Sequence, residues 1–337
     1  MELISKNLKY SDLDEFDKDT VLKFIKDNLD FINNDLKEKT SIYNEINLSK
    51  KDKIEFIKEH SKFLEFLNSV SNFDNILKKK VSKEDFSLSG YNVNLLNEFC
   101  FLDINKLNKD TKSNDFVIYL KSNNKHPVLV LHNSDIKSKD FNIRKATSIL
   151  FKTIESSYNL KELTIINFIP FINNFFFKMD LSSIDFIDLS YFSKNNILFN
   201  VEKSNFKSII RVLNKDFNEY NAFLNNSKDT KSELIFRSLV YNDLSIISDS
   251  FSNEENIESL IDIKNFNISG KITTLPSLTV KGNLVNLDHS MFVKNFRQEE
   301  LFYLSKMGLS NKDSKDLIIK EFFSANSYIK NVLWKII

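Results

Sequence analysis

The stretch ELIFRSLVYNDLSIISDSFSNEENIESLIDIKNFNI, from Glu233 to Ile268, consists of short apolar runs separated by polar and acidic residues. Runs of the same kind recur from about Asp115 to Met291, namely DFVIYL, PVLVLH, LTIINF, IDFIDL, NILFNV, SIIRVL, ELIFRSLVY, LSIISDSF, SLIDIKNFNI, SLTV and NLVNLDH. Short runs at a spacing of roughly ten residues predict the strands of a sandwich, a barrel or a β-solenoid. The chain has only four glycines and three prolines, whereas sandwich hairpins depend on such residues. We therefore favour a β-solenoid, with asparagines at some of its corners.

The pattern of apolar residues divides the chain into three regions. Residues 1–114 form a mixed, N-terminal helical region, in which apolar residues between Ile54 and Phe66 recur at mostly helical spacing. Residues 115–293 form the predicted solenoid core, and residues 294–337 form a C-terminal helical region. The predicted fold class is therefore mainly β: a right-handed parallel β-helix flanked by N-terminal and C-terminal helical regions.

The C-terminal region has clear helix boundaries. Gly308 is a C-terminal cap for one helix, and Ser310 begins the next, with Asp313 in the position of a capping-box acid. The first helix has three apolar residues on one face, namely Leu301, Leu304 and Met307. Two interpretations of these helices stay open. They cap the exposed end of the solenoid, or they form a docking surface for another protein.

Composition excludes several classes of function. Lys and Arg total 47 and Asp and Glu total 46, so no charge excess indicates binding to nucleic acid or to an acidic membrane. The glycines are scattered, so no phosphate-binding loop is predicted. The single cysteine excludes an internal disulfide and agrees with a reducing compartment. The N-terminus resembles neither a signal peptide nor a transit peptide, and we expect a cytoplasmic protein.

Three further residues are candidates for chemistry. Cys100 lies in a short apolar run, which favours a small buried thiol over a nucleophile or a ligand. Asp185 and Asp188 are candidate acids for a β-helix enzyme that acts on polysaccharide. They are three residues apart, however, and so face opposite sides of a regular strand. We interpret both carboxylates as solvated.

One segment near the C-terminus carries a specific signature. A Pro-x-Leu-x-Val strand is followed by a strand that ends in histidine, then by an acidic Leu-Phe-Tyr-Leu helix, a Gly-Leu-Ser step and a second helix with phenylalanine. The residues are Pro276, Leu278, Val280, His289, Glu300, Leu301, Phe302, Tyr303, Leu304, Gly308, Leu309, Ser310, and Phe322 or Phe323. This segment resembles the SufB/SufD family, the scaffold proteins of the Suf system of iron–sulfur cluster assembly. The N-terminal segment KNLKYSDLDEF is similar to SufD proteins, with Leu8 in place of a tryptophan.

The resemblance implies a scaffold subunit, not an enzyme, with a β-helix between helical regions. It implies a heterodimer with a SufB-type paralogue and binding of a SufC-type ABC ATPase by the region from Glu300 to Ile337. The implied partner-binding residues are Leu301, Phe302, Tyr303, Leu304, Gly308, Phe322 and Phe323. His289 would be a metal ligand for a nascent cluster or iron shared with the partner, and no cofactor would be stably bound. Neither nucleic acid nor a membrane is an expected partner.

SufD is the better match within the family, because the predicted core contains no cysteine. Ser290 and Met291 follow the histidine where the family has small residues, and Leu287 stands at a position where SufD proteins often have cysteine. An alternative is therefore a structural solenoid subunit without its own cluster ligand. In either case Val285, Leu287 and His289 share one face of their strand.

Overall fold

The computed structural model describes most of the chain from Ser89 to Phe323. The described residues are 89–95, 99–104, 115–122, 125–132, 147–153, 160–169, 171–190, 193–202, 205–252 and 254–323. The helix predicted between Ile54 and Phe66 lies outside them.

The described residues form sixteen strands and two helices. The strands are β1 (Ser89–Leu95), β2 (Phe99–Asp103), β3 (Asp115–Ser122), β4 (Val128–His132), β5 (Thr147–Thr153), β6 (Glu162–Asn167), β7 (Phe171–Lys178), β8 (Ser183–Asp188), β9 (Ser193–Val201), β10 (Asn205–Asn214), β11 (Asn218–Asn226), β12 (Lys231–Val240), β13 (Leu244–Ser252), β14 (Ile257–Asn267), β15 (Ile272–Val280) and β16 (Val285–Lys294). The helices are α1 (Gln298–Lys306) and α2 (Asn311–Phe322).

Successive strands alternate between two parallel sheets. The odd-numbered strands form one eight-stranded sheet, which we call sheet A, and the even-numbered strands form the other, sheet B. Each strand pairs with the strand two places further along the chain, as β10 does with β12. This connectivity confirms the predicted parallel β-solenoid. The solenoid begins at least as early as Ser89, since β1 and β2 pair with β3 and β4, and so extends beyond the predicted boundary at residue 115.

The core lies between the two sheets and is built from stacked rows of like side chains. Phe151, Phe177 and Phe199 occupy successive strands of sheet A, with ring centroids 4.9 and 5.0 Å apart. All three side chains are buried. In-register parallel pairing places equivalent residues above one another, so one row repeats its packing from coil to coil.

Strands β5, β7 and β11 were absent from the predicted runs, partly because asparagine interrupts two of them. In the structure these asparagines form a hydrogen-bonded ladder across sheet A. The Nδ2 of Asn196 donates to the Oδ1 of Asn174 at 2.7 Å, and the Nδ2 of Asn221 donates to the Oδ1 of Asn196 at 2.7 Å. Asparagine is depleted in ordinary strands, but stacking lets each amide serve as a partner for the next.

Two of the scattered glycines stand where adjacent coils approach closely. A Cβ atom at Gly270 would lie 2.0 Å from the carbonyl oxygen of Asn242, and one at Gly282 would lie 1.8 Å from that of Glu254. Both positions are corners of the final coil. Glycine is needed at these two positions because adjacent coils approach too closely for a Cβ atom. Neither glycine belongs to a phosphate-binding loop, in agreement with the sequence analysis.

The C-terminal helices do not cover the end of the solenoid, so their interpretation as a cap is wrong. Helix α2 packs through Ile318 and Ile319, together with its C-cap residue Phe323, on the outer face of sheet B. That face carries an apolar row formed by Leu189, Leu213, Leu239 and Phe266. Because sheet B is apolar on both faces, it requires a layer on each side, and α2 supplies part of the outer layer.

The ends of both helices match their predicted signals. Helix α1 ends in a Schellman motif, in which the Gly308 N–H donates to Ser305 O at 3.0 Å and the Leu309 N–H donates to Leu304 O at 3.2 Å. Gly308 has a φ of 88°, which is why glycine suits this position. Ser310 caps α2, since its Oγ accepts from the Asp313 N–H at 3.1 Å.

Candidate partner-binding end of the solenoid

The last coil, formed by β15 and β16, is the exposed end of the solenoid. Each of these strands is the final member of its sheet, paired on one side only with β13 and β14. Their other edges carry backbone groups with no ladder partner among the described strands. Such edges are ready templates for pairing with another chain.

The row of β16 that points into the solenoid contains the predicted ligand. Val285, Leu287, His289 and Met291 are in register with Ile257, Ser259, Ile261 and Ile263 of β14, which are all buried. The three residues predicted to share one face therefore do so. In β16 the same row is half-buried or exposed, because no further coil of the described chain lies over it.

The inward row of β15 completes the rim. It consists of Ile272, Thr274, Pro276, Leu278 and Val280, in register with inward residues of β13. Ile272 and Leu278 pack against the core, while the Thr274 hydroxyl donates to the Met291 sulfur across the gap between the sheets. Pro276 lacks an N–H group, and an edge strand is where proline is tolerated in a sheet. The rim is thus largely apolar, with one imidazole and one thioether.

His289 is exposed at this rim. Its backbone N–H donates to the Oδ1 of Asp288 at 2.7 Å, so Asp288 interacts with the main chain of the histidine. A neutral imidazole is a competent ligand for iron. Within the described part of the chain, no three His, Cys, Asp or Glu side chains are grouped so as to hold a metal ion. Any metal bound at His289 therefore needs further ligands from outside the described residues.

A second exposed apolar surface lies on the helices. Phe302 and Tyr303 of α1 and Met307 at its C-terminal cap are 62%, 64% and 66% exposed, and Leu317 of α2 is also exposed. We call these four residues the helical patch. Large exposed apolar side chains such as these are candidates for contact with a partner.

The remaining predicted partner-binding residues have other surroundings. Leu301, Leu304 and Phe322 are partly buried against the apolar layer between α2 and sheet B, and Phe323 is 1% exposed. Gly308 is the helix cap described above. Met307 was expected on the packed face with Leu301 and Leu304, but it points into solvent. Phe302 and Tyr303 are therefore the predicted residues with side chains available to a partner.

Cys100 is a buried residue in β2, as predicted. Its side chain is part of the core, and burial raises the pKa of the thiol to about 12. Since the thiolate is the reactive and metal-binding form, this environment makes the thiol inert at neutral pH.

The prediction that Asp185 and Asp188 are solvated is wrong. Asp185 is buried on the outer face of sheet B, where the Arg211 Nε donates to its Oδ1 at 3.0 Å. Arg211 also donates to the backbone oxygen of Phe323 at 3.3 Å, which ties the end of α2 to the sheet. The layer formed by α2 explains the burial of Asp185.

Asp188 is buried on the opposite side, inside the solenoid, as the spacing predicted. Its carboxylate accepts hydrogen bonds from the Tyr220 hydroxyl and from the amides of Asn167 and Asn195. Burial raises the pKa of this carboxyl group. Because the two acids lie on opposite faces and each is held by internal partners, this pair cannot flank a glycosidic bond.

Two other histidines, His126 and His132, lie in strands or turns away from the rim. The His126 Nδ1 is 2.6 Å from the Oε2 of Glu162, and His132 is buried at the end of β4. His60 lies outside the described residues.

These features define a class of protein: a parallel β-solenoid whose last coil, β15 and β16, has two strand edges that pair with no other described strand. Residues 267–322 match the family model described as SUF system FeS cluster assembly, SufBD core domain. This match supports the SufB/SufD family and a role as a subunit of a Suf iron–sulfur cluster assembly complex. The matched segment contains β15, β16, α1 and α2, the same elements that form the rim and the helical patch. No curated protein matches the chain.

Neither described helix has the length and the apolar composition that a membrane span requires.

Proposed function

We propose that this chain is a SufD-type scaffold subunit that pairs with a SufB-type paralogue and binds a SufC-type ABC ATPase in the cytoplasm. The observation that supports this proposal most directly is the uncovered last coil, which carries His289 within the segment that matches the family model. SufD is preferred to SufB because residues 115–293 contain no cysteine.

The geometry of the rim supports a second solenoid as the partner. Two strand edges, one from each sheet, face in the same direction and enclose an apolar row. A single strand or helix can cover only one of these edges. The end of another solenoid presents two edges and an apolar interior at once, so it satisfies both sheets and removes the row from water.

The proposed chemistry is shared between the two subunits. His289 supplies one imidazole ligand to a nascent cluster or to iron, and the paralogue supplies the thiolates. The cluster is cargo that leaves the scaffold, so no resident cofactor is expected. The apolar residues around His289 exclude water from the site once the partner is in place, and a drier site strengthens the interaction between metal and ligand.

The helical patch is the proposed docking surface for the ATPase. Its four side chains are exposed, while Leu301 and Leu304 pack α1 against the apolar layer on sheet B. An apolar helix face with charged flanks is the kind of surface that enters a groove on a partner.

The test of the shared site is His289→Ala in the complex of all three subunits. We expect the complex to form at the wild-type level, because an exposed imidazole contributes little to stability. Cluster assembly, followed by absorbance and iron content after anaerobic reconstitution, should fall at least about tenfold, since the ligand lost here is one of few. Asn286→Ala is the matched control, because Asn286 is exposed on the opposite face of β16.

The outcomes separate the proposed function from its alternative. Loss of the complex on His289→Ala would show that the histidine is structural. Normal assembly with the variant would support a subunit that lacks its own cluster ligand, for which Ser290 and Met291 next to the histidine are the supporting observation.

A further inference from the structure

Three successive coils turn from sheet A to sheet B through a residue in the left-handed conformation. These residues are Asp229, Asn256 and Leu284, with φ angles of 58°, 59° and 55°. They are equivalent positions of the repeat, because the Asn256 N–H donates to Asn283 O and the Asp229 N–H donates to Glu255 O, each at 3.3 Å.

The first two of these corners have residues that suit this conformation. Aspartate and asparagine tolerate the left-handed region better than other residues with a Cβ atom. They also join successive coils, because the Nδ2 of Asn256 donates to the Oδ1 of Asp229 at 2.8 Å. The ladder stops at Leu284, whose side chain has no polar atom to continue it and no intrinsic preference for a positive φ.

Leu284 is also exposed to an unusual degree. Its relative exposure of 81% is the highest among the exposed large apolar residues of the described chain. It lies in the corner between β15 and β16, beside the open rim. The local backbone is therefore unfavourable for leucine, and its side chain gains no burial in the free subunit.

We propose that Leu284 is an anchor residue that inserts into the SufB-type partner when the two solenoids join end to end. The proposal rests on the proposed function, because it takes the partner from there. The corner belongs to the final coil, so the end-on partner that covers both strand edges also reaches this position. In that complex the Leu284 side chain is removed from water. In the free chain it stays exposed and contributes no apolar burial. Removal of an apolar side chain from water favours association.

The test is Leu284→Asn in the full chain, measured for stability alone and for affinity to a purified SufB-type subunit. Asparagine restores the residue type of the equivalent corner at Asn256, so thermal unfolding of the free chain should shift to a higher temperature. Affinity for the partner should fall about tenfold or more, because the burial of the leucine side chain in the interface is lost. The two effects have opposite signs, which a merely structural role would not produce.

Asp229→Leu is the matched control, because it places leucine in the same conformation two coils away from the rim. It should lower the unfolding temperature and leave the affinity for the partner unchanged. Leu284→Gly provides a second variant, since glycine adopts a positive φ without strain and removes the whole side chain. It should weaken binding as Leu284→Asn does.

Several outcomes would overturn the inference. Unchanged affinity of both Leu284 variants, with normal binding of the wild type, would show that this residue is not an anchor. Tight self-association of the wild type that both variants abolish would assign the anchor to a second copy of this chain. If the wild type binds no SufB-type subunit, the proposed function itself fails, together with the partner named here.

Discussion

At the scale of single residues, Asp249 shows how burial changes a carboxyl group. It lies on the outer face of sheet A, in register with Leu198 and Phe223 of the preceding strands. The side chain is fully buried, and its Oδ2 accepts from the Thr279 hydroxyl at 2.8 Å. Burial raises the pKa of Asp249 above the ordinary value of 3.8, although hydrogen bonds from Thr279 and Ser277 oppose the shift.

This shift predicts a pH dependence of stability. The folded state binds the proton of Asp249 more tightly than the unfolded state, so the group favours folding most below the ordinary pKa of 3.8. That contribution is lost as the pH rises through the raised pKa. Compared with Asp249→Asn, the wild type should therefore lose free energy of unfolding between acid and neutral pH. Urea denaturation of both proteins across this range measures the difference.

Asp243→Asn is the control for this comparison, because Asp243 is exposed in the corner before β13. The control should follow the wild type at every pH. A constant difference between the wild type and Asp249→Asn would contradict the raised pKa.

At the scale of secondary-structure elements, α1 and α2 combine two roles. Their inner residues cover the outer face of sheet B, and their outer residues form the helical patch. Removing both helices to test ATPase binding would therefore also expose Leu213, Leu239 and Phe266 to water. Point substitutions separate the two roles, because packed and exposed side chains are neighbours on the same turn.

The double substitution Phe302→Ala and Tyr303→Ala should abolish capture of the SufC-type ATPase. The free energy of unfolding should change by less than about 0.5 kcal/mol, since both side chains are exposed. Leu301→Ala is the converse control: it should lower the free energy of unfolding by about 1–3 kcal/mol, because it leaves a cavity at a partly buried site. Co-purification and chemical denaturation measure the two effects. Retention of the ATPase by the double variant would show that the helical patch is not its docking surface.

The elements also show what the sequence could predict. Strands such as β12 and β14 were recognisable as short apolar runs, and the scarcity of glycine and proline favoured the solenoid. Strand β11 was missed because its asparagines gain hydrogen bonds only from the neighbouring coils. The burial of Asp185 was missed for a similar reason, since it depends on α2, more than one hundred residues later in the chain.

For the candidate site at the rim, the sequence predicted which side chains share a face but not whether that face is exposed. The alternation of a regular strand was enough to place Val285, Leu287 and His289 on one face. Whether that face is open depends on the position of α1 and α2, which the sequence pattern left undecided. The left-handed corner at Leu284 was not visible in the sequence, because leucine carries no signal for a positive φ.

At the scale of the whole molecule, the solenoid has an end that its own described residues do not cover. Association should therefore increase its stability. With the SufB-type subunit at about one hundred times its dissociation constant, the free energy of unfolding should rise by about 2.7 kcal/mol. The unfolding temperature should increase with partner concentration in a titration followed by calorimetry. An unchanged unfolding temperature in the presence of a partner that binds would place the contact outside the folded solenoid.

The order of the coils has a consequence for synthesis on the ribosome. One coil comprises about 27 residues, the spacing from Asp229 to Asn256, so translation adds a coil every few seconds at roughly 5–20 residues per second. Each newly finished coil is briefly the terminal one and exposes two strand edges. Only the final coil, however, carries His289 and Leu284, and α1 and α2 follow it immediately. A nascent chain thus presents these contact residues only after the preceding coils have been made and can fold, which favours pairing between folded solenoids over pairing between partly synthesised ones.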